Sequence, residues 1–292
     1  MFAIMAALIG LAVLSTPALA KTNPSMRTDQ IRGVVLPPKD AKHKPIYDAL
    51  HERRVLELLR ELLRPLRLPR RLTLQVKSCD GKIDAFYEND TATVCYEYLE
   101  YLQQNAPKLG TPGGLTPADV VTAAILDTFL HEVGHAVFAM HDIPVLGREE
   151  DAADYFSAYI LLQFSPGDAH RLIQGVGFLL ATEARTALGK APKAAAFSDE
   201  HGTPAQRYYN LLCMAYGSNP KTFANAVLRG RLPKDRAEGC AEEYEMLQRA
   251  FRKLILPHFD QAQFKRARAE VRFKWDEMIP PDAERDAPPL AK

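Results

Sequence analysis

The sequence predicts an α+β fold in which a small mixed β-sheet near the N-terminus precedes a mostly helical remainder. Three short stretches between residues 72 and 96 alternate apolar and polar residues or are rich in β-branched and aromatic ones, as strands are. The rest of the chain carries apolar residues at three- and four-residue spacing, which is the pattern of helices. Its 292 residues suit one large domain with an ample apolar core.

Residues 1–20 are predicted to be a signal peptide, because they form an uncharged, largely apolar run that ends in Ala18-Leu19-Ala20. No basic residue precedes the run, so a retained N-terminal anchor is the alternative. The run is short and broken by Ser15-Thr16-Pro17, which argues against a spanning helix, and we expect no stable membrane span after signal cleavage. We therefore expect an exported protein, either periplasmic or secreted.

Beyond the leader, we expect three further segments. Residues 21–45 are polar and contain prolines, which indicates an extended arm without secondary structure. Residues 46–278 would form the domain, and the proline-rich residues 279–292 a flexible tail. The net charge is +1 and no block of like charges is long, so no nucleic-acid partner is expected.

The strands and most helices are predicted from local patterns. Thr116, Pro117 and Asp119 are the residues expected at the N-cap, the first position and the first turn of a long helix. Strands are predicted over Leu72–Lys77, Lys82–Tyr87 and Thr91–Tyr96, with turns at Asp80-Gly81 and Asn89-Asp90. Helices are predicted over Tyr47–Leu63, Glu97–Gln104, Thr116–Met140, Glu149–Phe164, Asp168–Leu188, Thr203–Tyr216, Lys221–Arg229, Ala241–Ile255 and Gln261–Trp275.

Four cysteines in an exported chain predict two disulfides. Three pairings are open, of which Cys79–Cys95 with Cys213–Cys240 joins nearest neighbours, and free buried thiols are the alternative. A simple three-stranded meander would hold its first and third strands about 9–10 Å apart, too far for Cys79–Cys95. Either the strands are connected differently or this pairing is wrong. No pair has C-x-x-C spacing, so a cysteine metal site is not expected.

The motif His131-Glu132-Val133-Gly134-His135 lies in the second half of the predicted Thr116–Met140 helix. Histidines four residues apart point the same way on a helix, so His131 and His135 could bind one Zn²⁺ together. Glu132 flanks the pair and could act as general base on a water at the metal. This spacing predicts a single catalytic zinc ion.

A third protein ligand is needed to leave one position open for water. His141 has the spacing of the metzincin pattern, but Phe138 stands where that pattern has the glycine that lets the chain turn. Glu150 and Asp154 lie four apart on the next predicted helix. One could bind the metal while the other accepts a hydrogen bond from a ligating histidine. The alternative is that the acidic residues at the start of this helix only stabilise its N-terminus.

This arrangement resembles the gluzincin metallopeptidases, especially the group typified by the CAAX-prenyl endopeptidases. The resemblance implies His131, His135 and Glu150 as metal ligands, Glu132 as base and Asp154 as hydrogen-bond partner of a ligand. A second match places His201 and Arg207 six apart, where that group has a histidine and an arginine that stabilise the oxyanion. Gly202 replaces the proline that follows the histidine in that group. The alternative is that His201 is a surface histidine without a catalytic role.

The segments HEVGHA, PVLGREEDAAD and DEHGTPAQRYYNLLC together resemble a bacterial metallopeptidase family catalogued as a domain of unknown function, over about residues 45–275. We therefore predict a zincin-like zinc metallopeptidase that acts on a peptide or protein, which could pair with an edge strand, for which Thr91–Tyr96 is the candidate. The alternatives are an inert metal-binding scaffold and a zinc hydrolase of a non-peptide amide, for instance in the cell wall.

Overall fold

The computed structural model describes residues 30–107, 114–188 and 197–271, and within them a four-stranded mixed sheet lies beside a larger helical part. The strands are β1 (Ile31–Val35), β2 (Leu72–Lys77), β3 (Ala85–Glu88) and β4 (Thr91–Cys95). The helices are α1 (Lys44–Glu52), α2 (Val55–Leu63), α3 (Tyr96–Asn105), α4 (Pro117–His141), α5 (Glu149–Leu161), α6 (Pro166–Leu188), α7 (Pro204–Ser218), α8 (Ala224–Leu228), α9 (Lys234–Ala237), α10 (Cys240–Ala250) and α11 (Gln261–Glu270). A π-helical turn, Phe251–Ile255, continues α10. This architecture confirms the predicted α+β class.

The order of the strands in the sheet is β1-β2-β4-β3. Strands β1, β2 and β4 are parallel, and β3 pairs antiparallel with β4 at the outer edge. The chain therefore does not form a meander, because β4 lies directly beside β2. Lys77 of β2 is the register partner of Cys95, which brings Cys79 close enough for the Cys79–Cys95 disulfide, with 5.5 Å between the Cα atoms.

Strand β1 corrects the prediction that residues 21–45 form an arm without secondary structure. Ile31 is buried and the strand pairs with β2 along its whole length. A Cβ atom at Gly33 would lie 3.0 Å from Leu56 Cβ, so the absence of a side chain lets β1 pack closely against α2. The sheet therefore begins inside the segment that polarity and prolines assigned to the arm.

The prediction of one continuous helix over Tyr47–Leu63 is also wrong, because the chain forms two helices there. The chain leaves α1 at Arg53 and turns at Arg54, whose φ of 53° is in the left-handed region. A left-handed residue interrupts the helical hydrogen-bond ladder, and α2 starts at the next residue in a new direction. Two arginines in sequence give no local warning of this break.

Helix α4 is the central helix of the fold. Thr116 and Asp119 form a capping box, with Thr116 Oγ1 accepting from the Asp119 amide and an Asp119 carboxylate accepting from the Thr116 amide. This confirms the predicted start of the helix. The helix is long and apolar enough to cross a membrane, but most of it is buried among α5, α6 and the sheet, as a core helix is.

The second disulfide, Cys213–Cys240, joins α7 to α10 with 5.0 Å between the Cα atoms. A Cβ at Gly217 would lie 2.1 Å from the Cys240 carbonyl oxygen, so these helices touch at backbone distance. Two disulfides are confirmed, and they follow the nearest-neighbour pairing, one of the three that the sequence left open. Two disulfides and no free cysteine indicate an oxidising compartment.

The remaining predicted elements differ from the observed ones mainly in length. Helix α5 ends at Leu161, α10 passes into the π-helical turn, and α11 is described to Glu270. The predicted signal peptide, most of the loop around Gly110 and the proline-rich tail lie outside the described residues.

Replacing both cysteines of the α7–α10 bridge with serine should lower the free energy of unfolding by about 3 kcal/mol, because the loop of 27 residues would regain its freedom in the unfolded chain. Urea unfolding of the double variant and the wild type measures this difference. A loss below about 1 kcal/mol would contradict a stabilising role for the bridge.

Candidate active site

The histidines of the motif lie one turn apart on the buried α4, beneath the N-terminal half of α5. His131 and Glu132 are buried, while His135 is partly exposed. The two Nε2 atoms lie 3.2 Å apart, so both imidazoles point to the same place. This convergence follows from the four-residue spacing on a regular helix.

Glu150 on α5 completes a group of three donor atoms. Its Oε2 lies 2.9 Å from His131 Nε2 and 3.4 Å from His135 Nε2. A tetrahedral metal ion with bonds of 2.0–2.1 Å needs donor atoms about 3.3 Å apart. The three separations fit that requirement, so His131, His135 and Glu150 could bind one metal ion.

Each histidine of the pair is held by a carboxylate on its other ring nitrogen. His131 Nδ1 lies 2.9 Å from Asp154 Oδ1, and His135 Nδ1 lies 2.8 Å from Glu149 Oε1. A hydrogen bond at Nδ1 fixes the ring and leaves Nε2 free to coordinate. Sequence reasoning did not predict this contact of Glu149. Its position fourteen residues after His135 carries no local signal.

Asp154 is in turn held by Arg207 from the first turn of α7. Arg207 Nε donates to Asp154 Oδ2 at 2.8 Å, and Nη2 donates to Oδ1 at 2.7 Å. Burial opposes ionisation of Asp154, but the charge of Arg207 and its hydrogen bonds hold the pKa of this carboxyl below its ordinary value. Arg207, Asp154 and His131 thus form a continuous chain that ends at a donor atom of the candidate metal site.

His201 reaches the site from the loop before α7. Its Nε2 lies 2.8 Å from Glu150 Oε2, and its ring stacks on that of His131 with 5.8 Å between centroids. Thr203 and Gln206 form a capping box, which begins α7 and leaves His201 outside it. The structure therefore brings together all seven residues that the sequence singled out, including Glu132 and Arg207.

The charges at the site are strongly coupled. Hydrogen bonds from three imidazoles hold the pKa of Glu150 far below its ordinary value. Burial alone would lower the pKa of His131, but its hydrogen bonds to Asp154 and Glu150 raise it to about 10. A metal ion therefore competes with a proton at His131 Nε2. Burial raises the pKa of Glu132, against the opposing charges of the two histidines of the motif.

His141, the alternative third ligand, lies elsewhere. Its ring stacks on His258 with 3.6 Å between centroids, and it is absent from the converging group. Helix α4 continues through Phe138 to His141, so the chain makes no turn that would return this histidine to the motif. The described geometry favours Glu150 over His141.

A cavity of about 210 Å³ opens beside the motif. Glu132, His131 and His201 form one wall, and α3, α6 and the start of β3 form the others. The space adjoins the candidate base and therefore suits part of a bound substrate.

Comparison with known proteins agrees with this geometry. The model of a family described as "Putative metallopeptidase", domain of unknown function 4344, matches residues 36–255. The chain belongs to this family. The match begins directly after β1 and includes the other three strands, the whole candidate site and both disulfides. No curated protein and no solved structure matches the chain.

Close contact between α4 and α5 positions the site in this family member. A Cβ at Gly134 would lie 3.2 Å from Phe156 Cβ and 3.3 Å from Ala153 Cα. We expect Gly134→Ala to push the helices apart and lower the free energy of unfolding by about 1–3 kcal/mol.

Gly167→Ala on α6 is the matched control, because nothing lies within 4 Å of its added Cβ. Urea unfolding should leave this variant as stable as the wild type or more so. Equal stability of both alanine variants would contradict the tight packing at Gly134.

Proposed function

We propose that this chain is a zinc-dependent metallopeptidase of the gluzincin type with zincin-like architecture. The observation that carries the proposal is the convergence of His131 Nε2, His135 Nε2 and Glu150 Oε2, with Glu132 beside them on the same helix turn. A scaffold that only bound a metal would have no need of a buried carboxylate next to the ligands. Membership of a metallopeptidase family supports the same activity.

Two imidazoles and one carboxylate are donors that suit zinc. A bound zinc ion would polarise a substrate carbonyl and lower the pKa of water to about 7. His131, His135 and Glu150 would hold the ion and leave a fourth position open. One catalytic ion per chain is expected.

Glu132 would act as the general base. Its carboxylate would take a proton from the attacking water and return it to the amine that leaves. Burial raises its pKa, which makes it a stronger base than an exposed glutamate, although it must lose its own proton first. Activity should therefore fall as the pH drops through the pKa of Glu132.

His201 and Arg207 would have different roles. His201 is partly exposed, and its Nε2 contacts Glu150. If this contact broke, the imidazole could donate a hydrogen bond to the substrate oxygen that gains negative charge. Arg207 uses Nε and Nη2 on Asp154, so we propose that it acts mainly by fixing Asp154 and, through it, His131. The oxyanion role that the resemblance implies for Arg207 would need a further contact by its Nη1.

An extended substrate needs a free strand edge, and the prediction that Thr91–Tyr96 supplies it is wrong. Strand β4 lies between β2 and β3 and has no free edge. Strand β3 is an edge, and Ala85 at its start lines the same cavity as Glu132. We propose that a peptide pairs with β3.

The predicted location is consistent with this activity. The two disulfides support an oxidising, extracytoplasmic compartment. Residues 1–20 would direct export and be removed, and we propose a periplasmic or secreted enzyme on that basis.

Glu132→Gln tests the mechanism most directly. It keeps the size and hydrogen bonding of the side chain but cannot take a proton, so cleavage of a casein or peptide library should fall at least about 100-fold. Zinc content, measured by atomic emission, should stay at one ion per chain. Equal cleavage by variant and wild type would refute the role of Glu132, and zinc binding without any cleavage by the wild type would favour a scaffold.

Asp154→Asn tests how the ligands are held. Loss of the carboxylate at His131 Nδ1 should weaken zinc binding about 10- to 100-fold in a competition titration with a chromophoric chelator. Glu149→Gln is the matched control at His135 Nδ1, where the carboxylate is half exposed and water can replace it. An Asp154→Asn affinity no weaker than that of the control would contradict the proposed chain from Arg207 to the metal.

A further inference from the structure

The cavity beside Glu132 is lined by more carboxylates than the proposed peptide hydrolysis needs. Its volume of about 210 Å³ equals that of about seven water molecules in the liquid, which suits one large side chain. Besides Glu132, three acidic residues line it: Asp84, Asp127 and Glu183. The inference below concerns these carboxylates and rests on the proposed peptidase function.

One part of the cavity wall is apolar, beside the polar and acidic residues that line the rest. Leu102 of α3 and Val176 and Leu179 of α6 are buried and face it together with Leu180. Such walls favour a long aliphatic stem over a short polar side chain. A side chain that filled this space would leave its own polar tip among the carboxylates.

Glu183 on α6 is the first of these carboxylates. Its Oε1 accepts a hydrogen bond from the Tyr101 hydroxyl at 2.9 Å, and no described residue forms an ion pair with it. Tyr98 stacks on Tyr101 and lines the same cavity. Burial, together with the charge of Glu183, raises the pKa of Tyr98 to about 12, so this phenol stays neutral and adds no charge.

Asp127 is the second lining carboxylate that forms no ion pair with a described residue. It lies one turn before His131 on α4 and accepts a hydrogen bond from Ser157 Oγ. Burial raises the pKa of Asp127 to about 6, so it remains mostly ionised at neutral pH. The charges of Arg207 and His131 in the cavity wall act on Asp127, but Arg207 is itself paired with Asp154. Among the described lining residues, negative charge therefore exceeds positive charge.

We infer that this cavity binds the side chain of a lysine or arginine next to the bond that is cleaved. The aliphatic stem would lie along the leucines and valine, and the cationic tip would reach Glu183 and Asp127. An apolar side chain of equal length would leave both carboxylates with poorer solvation and no partner. An acidic side chain would be repelled.

The test uses peptides that are identical except for one residue flanking the cleaved bond, which is lysine, norleucine or glutamate. Norleucine has the stem of lysine without its charge. For the zinc-loaded wild type, kcat/KM should be at least about tenfold higher with lysine than with norleucine, and lowest with glutamate. In Glu183→Gln, which still accepts from Tyr101, the preference for lysine over norleucine should fall about tenfold.

Glu242→Gln is the matched control, because Glu242 is exposed on α10 and far from the cavity lining. It should keep the lysine preference of the wild type. Cleavage by the wild type without a preference for lysine, or a preference that Glu183→Gln leaves intact, overturns the inference while the peptidase activity stands.

Binding to the zinc-loaded Glu132→Gln protein, measured by calorimetry with the same peptides, separates the two proposals. If the wild type cleaves none of the peptides, the peptidase function fails, and binding alone decides the inference. Tighter binding of the lysine peptide, lost when Glu183→Gln is added, supports the cavity as a cation site. Equal binding of the lysine and norleucine peptides overturns it.

Discussion

The candidate site depends on one packing contact, the approach of α5 to the backbone of α4 at Gly134. The histidines alone would be two imidazoles on a helix surface. Because Gly134 between them has no side chain, Ala153 and Phe156 of α5 can lie against the backbone of α4. That closeness carries Glu150 and Asp154, on the same side of α5, to opposite ring nitrogens of His131. The glycine inside the motif is therefore as necessary to the geometry as the ligands are.

The buried charges explain why α7 belongs to the same unit. A carboxylate placed at His131 inside the protein would be costly to bury unless a cation accompanied it. Arg207 supplies that cation in a two-pronged hydrogen bond, for which lysine has the wrong shape. The need to compensate Asp154 thus ties the loop that carries His201 to the site, and the α7–α10 disulfide fixes the far side of the same helix. The helical half is organised by electrostatics as much as by apolar packing.

Local signals predicted the parts of this fold whose causes are local. The capping boxes at Thr116 and Thr203 were readable because the two residues that form each one are only three positions apart in the sequence. The order of the strands was not, because β4 pairs directly with β2 and leaves β3, which lies between them in the sequence, at the edge. The break at Arg54 and the role of Glu149 likewise depend on tertiary contacts. The burial of the two strands differs, because Ala92–Cys95 are all buried and no residue of β3 is, but the composition hides this difference: Thr93 interrupts the first strand, and the second contains Phe86 and Tyr87.

That strand order has a functional consequence. If the chain had formed a meander, β3 would have been central, and the strand that leads to α3 would have been the edge. In the observed order, no described strand pairs with the outer edge of β3, and the residues before it line the cavity that also holds Glu132 and Glu183. A peptide paired with β3 would therefore run past the metal ligands with one side chain directed into the acidic cavity. The same topology that allows the Cys79–Cys95 bridge thus gives the proposed substrate both its strand partner and its specificity pocket.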